Sequence, residues 1–300
     1  MAKLEQRRYN VEEVFTLGGK TMTCPRVGHI DFLNVLPLSY SYNHGAAQSL
    51  SIARGVPAVL NNDLINGRLD MSNSSSIVYA RHSENLVILP DVCVSTDGPV
   101  QSILLISKKP IESLADDKII LTAKSATSHC LLKIILRSYG AIPNYYVRHV
   151  GPDKPIPDDA TASLLIGDDA LWCYHHREEG LYYYDLGQEW QELTDQKMVY
   201  ALWVVNRDFA ENNPEMLQLI YDRVTKAFRK YPEQKDKIIR SVLDDKPFTY
   251  EQLDSYLYNT IKWDLTEEYK KGLETFYALA HNMNLIEHIP ELHFAKVRRN

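Results

Sequence analysis

Short apolar runs alternate with helical periodicity along most of this 300-residue chain, and that alternation constrains its fold more than any other feature. Strands punctuated by helices predict an α/β architecture, because a sheet buries its faces only when helices pack against it. In the first stretch, residues 27–30, 50–53, 86–89 and 100–107 read as strands, and residues 36–42, 58–66 and 76–81 carry helical patterns. After Lys109-Pro110 the alternation restarts. Residues 118–122 read as a strand, 128–139 as a helix ended by Gly140 and Pro143, and 145–150 and 163–166 as further strands. Tyr182 to Tyr184 also read as strand. "VYALWVV", residues 199–205, predicts a strand buried on both faces.

From Pro214, well placed in a first helical turn after Asn213, the chain reads as nearly all helix. Leu217, Ile220, Tyr221, Val224 and Phe228 form one amphipathic stripe, and Tyr269, Leu273, Phe276, Tyr277 and Ala280 form another. Thr249 and Gln252 have capping-box spacing. The break near Lys109-Pro110 and the return strand give the expected division: an N-terminal extension over 1–25, a first α/β lobe from 26–109 and 206–300, and an inserted second lobe over 110–205. Two crossings between lobes predict a hinged cleft, a common place for a ligand.

Charge narrows the function. A net charge of −6 leaves no dominant basic face, so a general nucleic-acid binder is excluded. An anionic ligand must then be attracted locally, by helix ends or a few cations. No apolar run approaches a membrane span, and none within residues 1–25 is long enough for a signal peptide. Cys24, Cys93, Cys130 and Cys173 lie far apart, as free thiols in a reducing cytoplasm would. The expectation is a soluble cytoplasmic protein without nucleic-acid or membrane partners. Cys173, His175, His176 and Glu179 are close in sequence, yet nothing elsewhere completes a ligand set, so a solvated helix end is expected and no metal.

Five polar stretches stand out. In "RVGHIDFLNVLPLSY", residues 26–40, a strand hands over to a helix across Asp31 and Asn34. Ligands gather at such junctions in α/β sheets, but helix capping is the default for Asn34 by residue type, and Asp31 stays open. "TAKSATSHCLLKIILRSYG", residues 122–140, converges Ser125, Thr127 and Ser128 on a helix start, where unpaired N–H groups favour an anion. "DGPVQSILLIS", residues 97–107, turns at Gly98-Pro99 and places Ser102 at a strand entrance, without a neighbouring His or Lys to activate it. "LDMSNSSSIVYA", residues 69–80, sets Ser74, Ser75 and Ser76 before a second helix. "LLIGDDALWCYHH", residues 164–176, ends a buried strand at Gly167 and Asp168, a cleft-facing position, with Asp169 read as the cap of the next helix.

The segments "RVGHIDFLNVLPL", "DGPVQSILLIS", "SATSHCLLKIIL", "LLIGDDAL", "YDLGQEWQELT" and "VYALWVVNRDFA", in this order, resemble the chorismate dehydratases of the futalosine route to menaquinone. The resemblance runs from about Arg26 to about Tyr277. It implies the two-lobed fold of type II periplasmic binding proteins, without export. It also implies a hydro-lyase that removes water from chorismate to give 3-[(1-carboxyvinyl)oxy]benzoate without a cofactor, the substrate's own enolpyruvyl carboxylate acting as base. Asn34 and Ser102 match the family's two functionally important polar residues. Ser75, Ser76, Ser125, Thr127, Ser128 and Asp168 are then the expected substrate-binding set.

The chain departs from the family twice. Ala126 stands where the family carries Arg, and residues 194–198 read Thr-Asp-Gln-Lys-Met where it carries Thr-Gly-Leu-Pro-Phe. Two other readings are a non-catalytic small-anion binding protein on the same fold and dihydroxynaphthoate synthase, whose opening Ser-Pro-Cys-Pro-Asn type motif is absent here.

Overall fold

The computed structural model describes residues 14–17 and 20–299. Strands β1 (Val14–Leu17) and β2 (Lys20–Thr23) pair antiparallel, so part of the expected extension is a two-stranded ribbon; residues 1–13 lie outside the described residues. β3 (Arg26–His29), β4 (Ser51–Arg54), β5 (Met71–Ser75) and β6 (Leu86–Thr96) then build a first sheet. β7 (Ile103–Ser107), β8 (Lys118–Leu121), β9 (Asn144–Val147), β10 (Ala162–Ile166) and β11 (Tyr182–Asp185) build a second. β12 (Met198–Asn206) returns to the first. The orders are β4-β3-β5-β12-β6 and β11-β7-β10-β8-β9. β3 runs parallel to β4 and β5, whereas β12 pairs antiparallel with β5 and β6.

The pairing moves the changes of sheet away from the expected boundaries. Residues 100–107 read as one strand, but only Ile103–Ser107 pairs, antiparallel to β10 in the second sheet; the chain therefore changes sheets at 97–102, and Lys109-Pro110 is a turn inside the second sheet. The return falls at 195–197. β12 is buried because it lies between β5 and β6, so it opens the return instead of closing the insertion. The two crossings run side by side, Asp97 of the first pairing with Lys197 of the second at 3.2 Å, and the first also passes the start of the Leu186–Thr194 helix. A side chain on Gly187 would come within 2.4 Å of the Gly98 carbonyl, so only glycine permits this approach.

Most helical patterns are realised, from Pro57–Ile65 and Ser76–Arg81 to Ala126–Ser138, Gly167–His175 and Leu186–Thr194. Pro214–Arg229 and Glu267–Asn282 bury the two stripes, and the capping box between Thr249 and Gln252 is formed. Trp203 of β12 meets Phe228 edge-on, Phe228 stacks on Trp263 at 5.1 Å, and Tyr231 packs against Trp263 at 5.2 Å. Full burial of such side chains contributes about 1.5–3 kcal/mol each, which fastens the helical return to the first sheet. Trp190 of the second-sheet side meets Phe276 of the return at 6.0 Å, so one apolar core continues across the crossings. A smaller cluster, with Leu104, Ile106, Ile120 and Leu165, covers the other face of the second sheet. All four cysteines are buried, and no helix among the described residues is long and apolar enough to cross a membrane.

Candidate active site

β5 carries the sequence "MSNSS" with every residue buried. Such a polar run has no strand periodicity; its backbone pairs with β3 and β12, and one of its side chains, Asn73, supplies a backbone partner that β3 lacks at its end. Beyond the last β3–β5 pair, Asn73 Oδ1 accepts the Ile30 N–H at 2.9 Å and Asn73 Nδ2 donates to the Ile30 carbonyl at 3.3 Å. The amide thus continues the ladder and fixes the chain as it leaves β3. Two further anchors follow: the Leu33 N–H donates to Asp168 Oδ1 at 3.1 Å, and Trp263 Nε1 donates to the Asn34 carbonyl at 2.8 Å.

Between these anchors Asn34 sits in a short 3-10 turn, Leu33–Val35, and lines a cleft of about 580 Å³, its open mouth included. Asn34 does not cap the helix: Val35 occupies the cap position and no side chain satisfies it. The Asn34 side-chain amide has no hydrogen-bond partner among the described residues, which leaves both its donor and its acceptor for the cleft.

Asp31 is engaged elsewhere. Its carboxylate accepts from the Ser39 hydroxyl and the Arg54 guanidinium, and His29 lies at 3.6 Å. The His29 imidazole first, then the Ser39 hydroxyl and Arg54, hold the Asp31 carboxyl well below the usual carboxylate range. It braces the junction and does not line the cleft.

Ser102 reaches the same cleft from the first crossing. Gln101 takes a left-handed conformation, φ 61°, and the half-buried Asp185 carboxylate gathers the N–H groups of Val100 at 2.9 Å and Gln101 at 2.6 Å. The same carboxylate caps the Leu186–Thr194 helix through Gly187 and Gln188. The Ser102 carbonyl accepts from Gly167 N–H at 2.8 Å. Its hydroxyl accepts from Tyr256 Oη at 2.8 Å. Burial pushes the Tyr256 phenol well above its ordinary value, so it stays protonated and donates. Ser102 therefore keeps its own hydrogen for a ligand.

Of the remaining expected residues, Ser75, Ser125 and Ser128 line the cleft. Ser125 caps the Ala126–Ser138 helix by accepting from Ser128 N–H at 3.2 Å, and its hydroxyl lies 3.5 Å from that of Ser75. Ser76, Thr127 and Asp168 do not line it. Ser76 donates to the Val199 carbonyl at 3.0 Å, and Thr127 Oγ1 accepts from Ile77 N–H at 3.2 Å, 3.3 Å from the Ser76 hydroxyl. These two stitch the sheets together. Asp168 turns to Leu33 N–H and to Lys246 Nζ at 2.6 Å, so it positions the Asn34 turn. Asp169 does not cap its helix, whose cap position is Ile166; it pairs with Lys124.

Lys124, Asn73, Ser74 and Tyr200 also line the cleft, and sequence reasoning did not single them out as site residues apart from Ser74 in its serine run. Lys124 had a usable signal, a cation directly before the helix-start serines. Tyr256 had none, since it lies 154 residues from Ser102 in a helical pattern. Among the described residues no three His, Cys, Asp or Glu side chains gather to hold a metal ion, and His176 stacks on Trp172 at 4.3 Å. The second departure, residues 194–198, is accommodated: Asp195 adopts φ 53°, and Lys197 pairs with Asp97 at 3.2 Å and Glu268 at 2.5 Å.

A family model described as menaquinone biosynthesis matches residues 25–282. The chorismate dehydratase of Thermus thermophilus is 32% identical over 191 residues, which cover 59% of this chain and 68% of the relative. The chorismate dehydratase of Campylobacter jejuni is 25% identical over 268 residues, covering 86% and 98%. Among solved structures, a protein from Archaeoglobus fulgidus superposes with a TM-score of 0.72 at 18% identity, over 87% of this chain and 98% of that one. The periplasmic aliphatic sulphonate binding protein of Escherichia coli gives 0.61 at 17% identity, over 89% and 90%. At such identities the structures speak for the fold alone, which is the periplasmic-binding-protein-like α/β fold that the family resemblance implied. By the extent of the family match and the identity to its relative from Thermus thermophilus, the chain belongs to the menaquinone-biosynthesis family that includes the chorismate dehydratases.

Proposed function

We propose that this chain is a hydro-lyase that converts chorismate to 3-[(1-carboxyvinyl)oxy]benzoate and water, in the cytoplasm, on the futalosine route to menaquinone. The ring proton that is lost lies vinylogous to the ring carboxylate, so its removal spreads an electron pair onto that carboxylate. The substrate's enolpyruvyl carboxylate takes the proton. The ring hydroxyl then leaves with that proton as water, which restores the carboxylate, and the ring becomes aromatic. Such a reaction asks the protein for orientation and for donors aimed at developing charge.

The observation that carries this reading is the pair of uncommitted donors in one cleft. Asn34 has a free amide and Ser102 a free hydroxyl hydrogen, and each is held in place by other groups. In the proposed roles, both hydrogen-bond the reacting ring substituents, while Ser125 and Ser128 at the start of the Ala126–Ser138 helix, with Ser75 beside them at the end of β5, receive a carboxylate. Each preorganised donor of this kind is worth about 2.7–4 kcal/mol in a transition state. The deciding experiment incubates purified protein with chorismate and follows the aromatic ether by absorbance and NMR. Formation of the ether is expected. Binding without conversion would favour an anion-binding protein on this fold, and neither binding nor conversion would overturn the reading.

A further inference from the structure

Lys124 is the single charged residue among the described residues that line the cleft. Its ammonium pairs with Asp169 on the neighbouring Gly167–His175 helix. The two side chains are 34% and 27% exposed, so solvent reaches both and the pair can be exchanged. Ser74 lines the same cleft fully buried, and its hydroxyl has no hydrogen-bond partner among the described residues. A buried hydroxyl without a partner is costly until a ligand or water meets it. The cleft therefore combines an ammonium, an orphan hydroxyl and the serine-capped start of a 13-residue helix. Each of these favours an anion, and an ammonium to carboxylate hydrogen bond is the strongest of the three.

We propose that Lys124 and Asp169 form an exchangeable ion pair: an entering carboxylate takes the Lys124 ammonium from Asp169, and Asp169 thereby sets the affinity of the cleft for anions. The identity of that carboxylate as one of chorismate's rests on the function proposed above; the exchange itself does not. Competition has a definite sign. Asp169 occupies the ammonium and adds a negative charge beside the cleft, so its neutralisation tightens anion binding, whereas loss of Lys124 weakens it. A purely structural ion pair would behave otherwise, since breaking it from either side would loosen the site.

The test titrates the full-length protein and its Lys124→Met, Lys124→Arg and Asp169→Asn variants with isophthalate, a rigid aromatic dicarboxylate, alongside chorismate turnover. Lys124→Met is expected to weaken isophthalate by about tenfold to hundredfold, Lys124→Arg by only about twofold to threefold, and Asp169→Asn to tighten it by about threefold or more. KM for chorismate should follow the same order while kcat moves less. Equal isophthalate affinity in Lys124→Met and the parent, weaker binding in Asp169→Asn, or no binding by the parent would each overturn the proposal. Should Lys124→Met fail to fold, the near-isosteric Asp169→Asn decides alone by the direction of its effect. The expected order of affinities in a protein that leaves chorismate intact would keep the exchange and reject the dehydratase reading. Chorismate turnover with unchanged variants would do the reverse.

Discussion

Tyr256 and Ser102, 154 residues apart in the chain, meet through a 2.8 Å hydrogen bond in which the phenol donates and the serine hydroxyl accepts. The direction matters because it frees the serine's hydrogen. With the phenol removed, the hydroxyl can rotate and spend its hydrogen on a neighbour. Tyr256→Phe is therefore expected to lower chorismate turnover by about tenfold and stability by about 1 kcal/mol, the usual net worth of one hydrogen bond. Steady-state kinetics and urea unfolding read both. Unchanged turnover would show that the Ser102 hydroxyl is oriented by something else.

Asn34 and Asn73 look alike in the sequence and differ in what they hold. Asn34 has no protein partner for its amide, so Asn34→Ala should leave the melting temperature within a degree or so while turnover falls by roughly 10²–10³. Asn73 closes two hydrogen bonds to the Ile30 backbone. Its replacement by Ala strands a buried N–H and a carbonyl, and about 1–3 kcal/mol of stability should go with them, together with activity. Thermal melts set beside turnover separate the two. A large loss of stability in Asn34→Ala would contradict the assignment of its amide to the substrate.

The Asp31 cluster should make itself felt as a pH effect on stability. The folded pKa of Asp31 lies below the unfolded value, through His29, Ser39 and Arg54. Its contribution is then fully present above the unfolded carboxylate value of about 3.9 and fades as the pH falls below that value toward the folded one. Asp31→Asn should melt below the parent at neutral pH, and the gap should close as the pH is lowered into the acid range. Half of this side chain is exposed, so solvent screening keeps the effect small. A gap that widens on acidification would reverse the sign and reject the account.

The order of strands and helices was legible because burial writes itself as periodicity. Residues 27–30, 76–81 and 199–205 announced their elements within a residue or so. β5 was illegible for the opposite reason: Ser72, Asn73, Ser74 and Ser75 are polar and buried, with Asn73 standing in as the backbone partner of Ile30, and that leaves no apolar rhythm. The first crossing was displaced because Val100 is apolar and buried at the exchange itself, which makes the turn read as strand. In the site, Asn34 and Ser102 were reachable through the family resemblance, and residue chemistry alone favoured a cap and a plain strand end. Lys124 stood in plain view beside the serines. Its pairing with Asp169, and the direction of the Tyr256 hydrogen bond, depend on contacts between distant segments that no single stretch contains.

Asp195 ends the Leu186–Thr194 helix in the left-handed region at φ 53°, where its N–H donates to the Gln191 carbonyl at 2.8 Å. The second crossing begins at this residue, and the backbone bond asks nothing of its side chain. A left-handed conformation costs an L-residue about 1–2 kcal/mol, less for Asp than for most. Glycine avoids that cost and adds about 0.5–1 kcal/mol of unfolded-state entropy to lose. The balance favours Asp195→Gly by a few tenths to about 1 kcal/mol, a rise in melting temperature of roughly 1–3 °C. Turnover should not change, because Lys197 keeps its pairs with Asp97 and Glu268 and the cleft wall keeps its course. Asp195→Val, β-branched at the same φ, should fall well below the parent. Differential scanning calorimetry on the three proteins reads the order Gly above Asp above Val. An Asp195→Gly variant that melts lower than the parent would mean that the carboxylate, and not the backbone angle, holds the crossing.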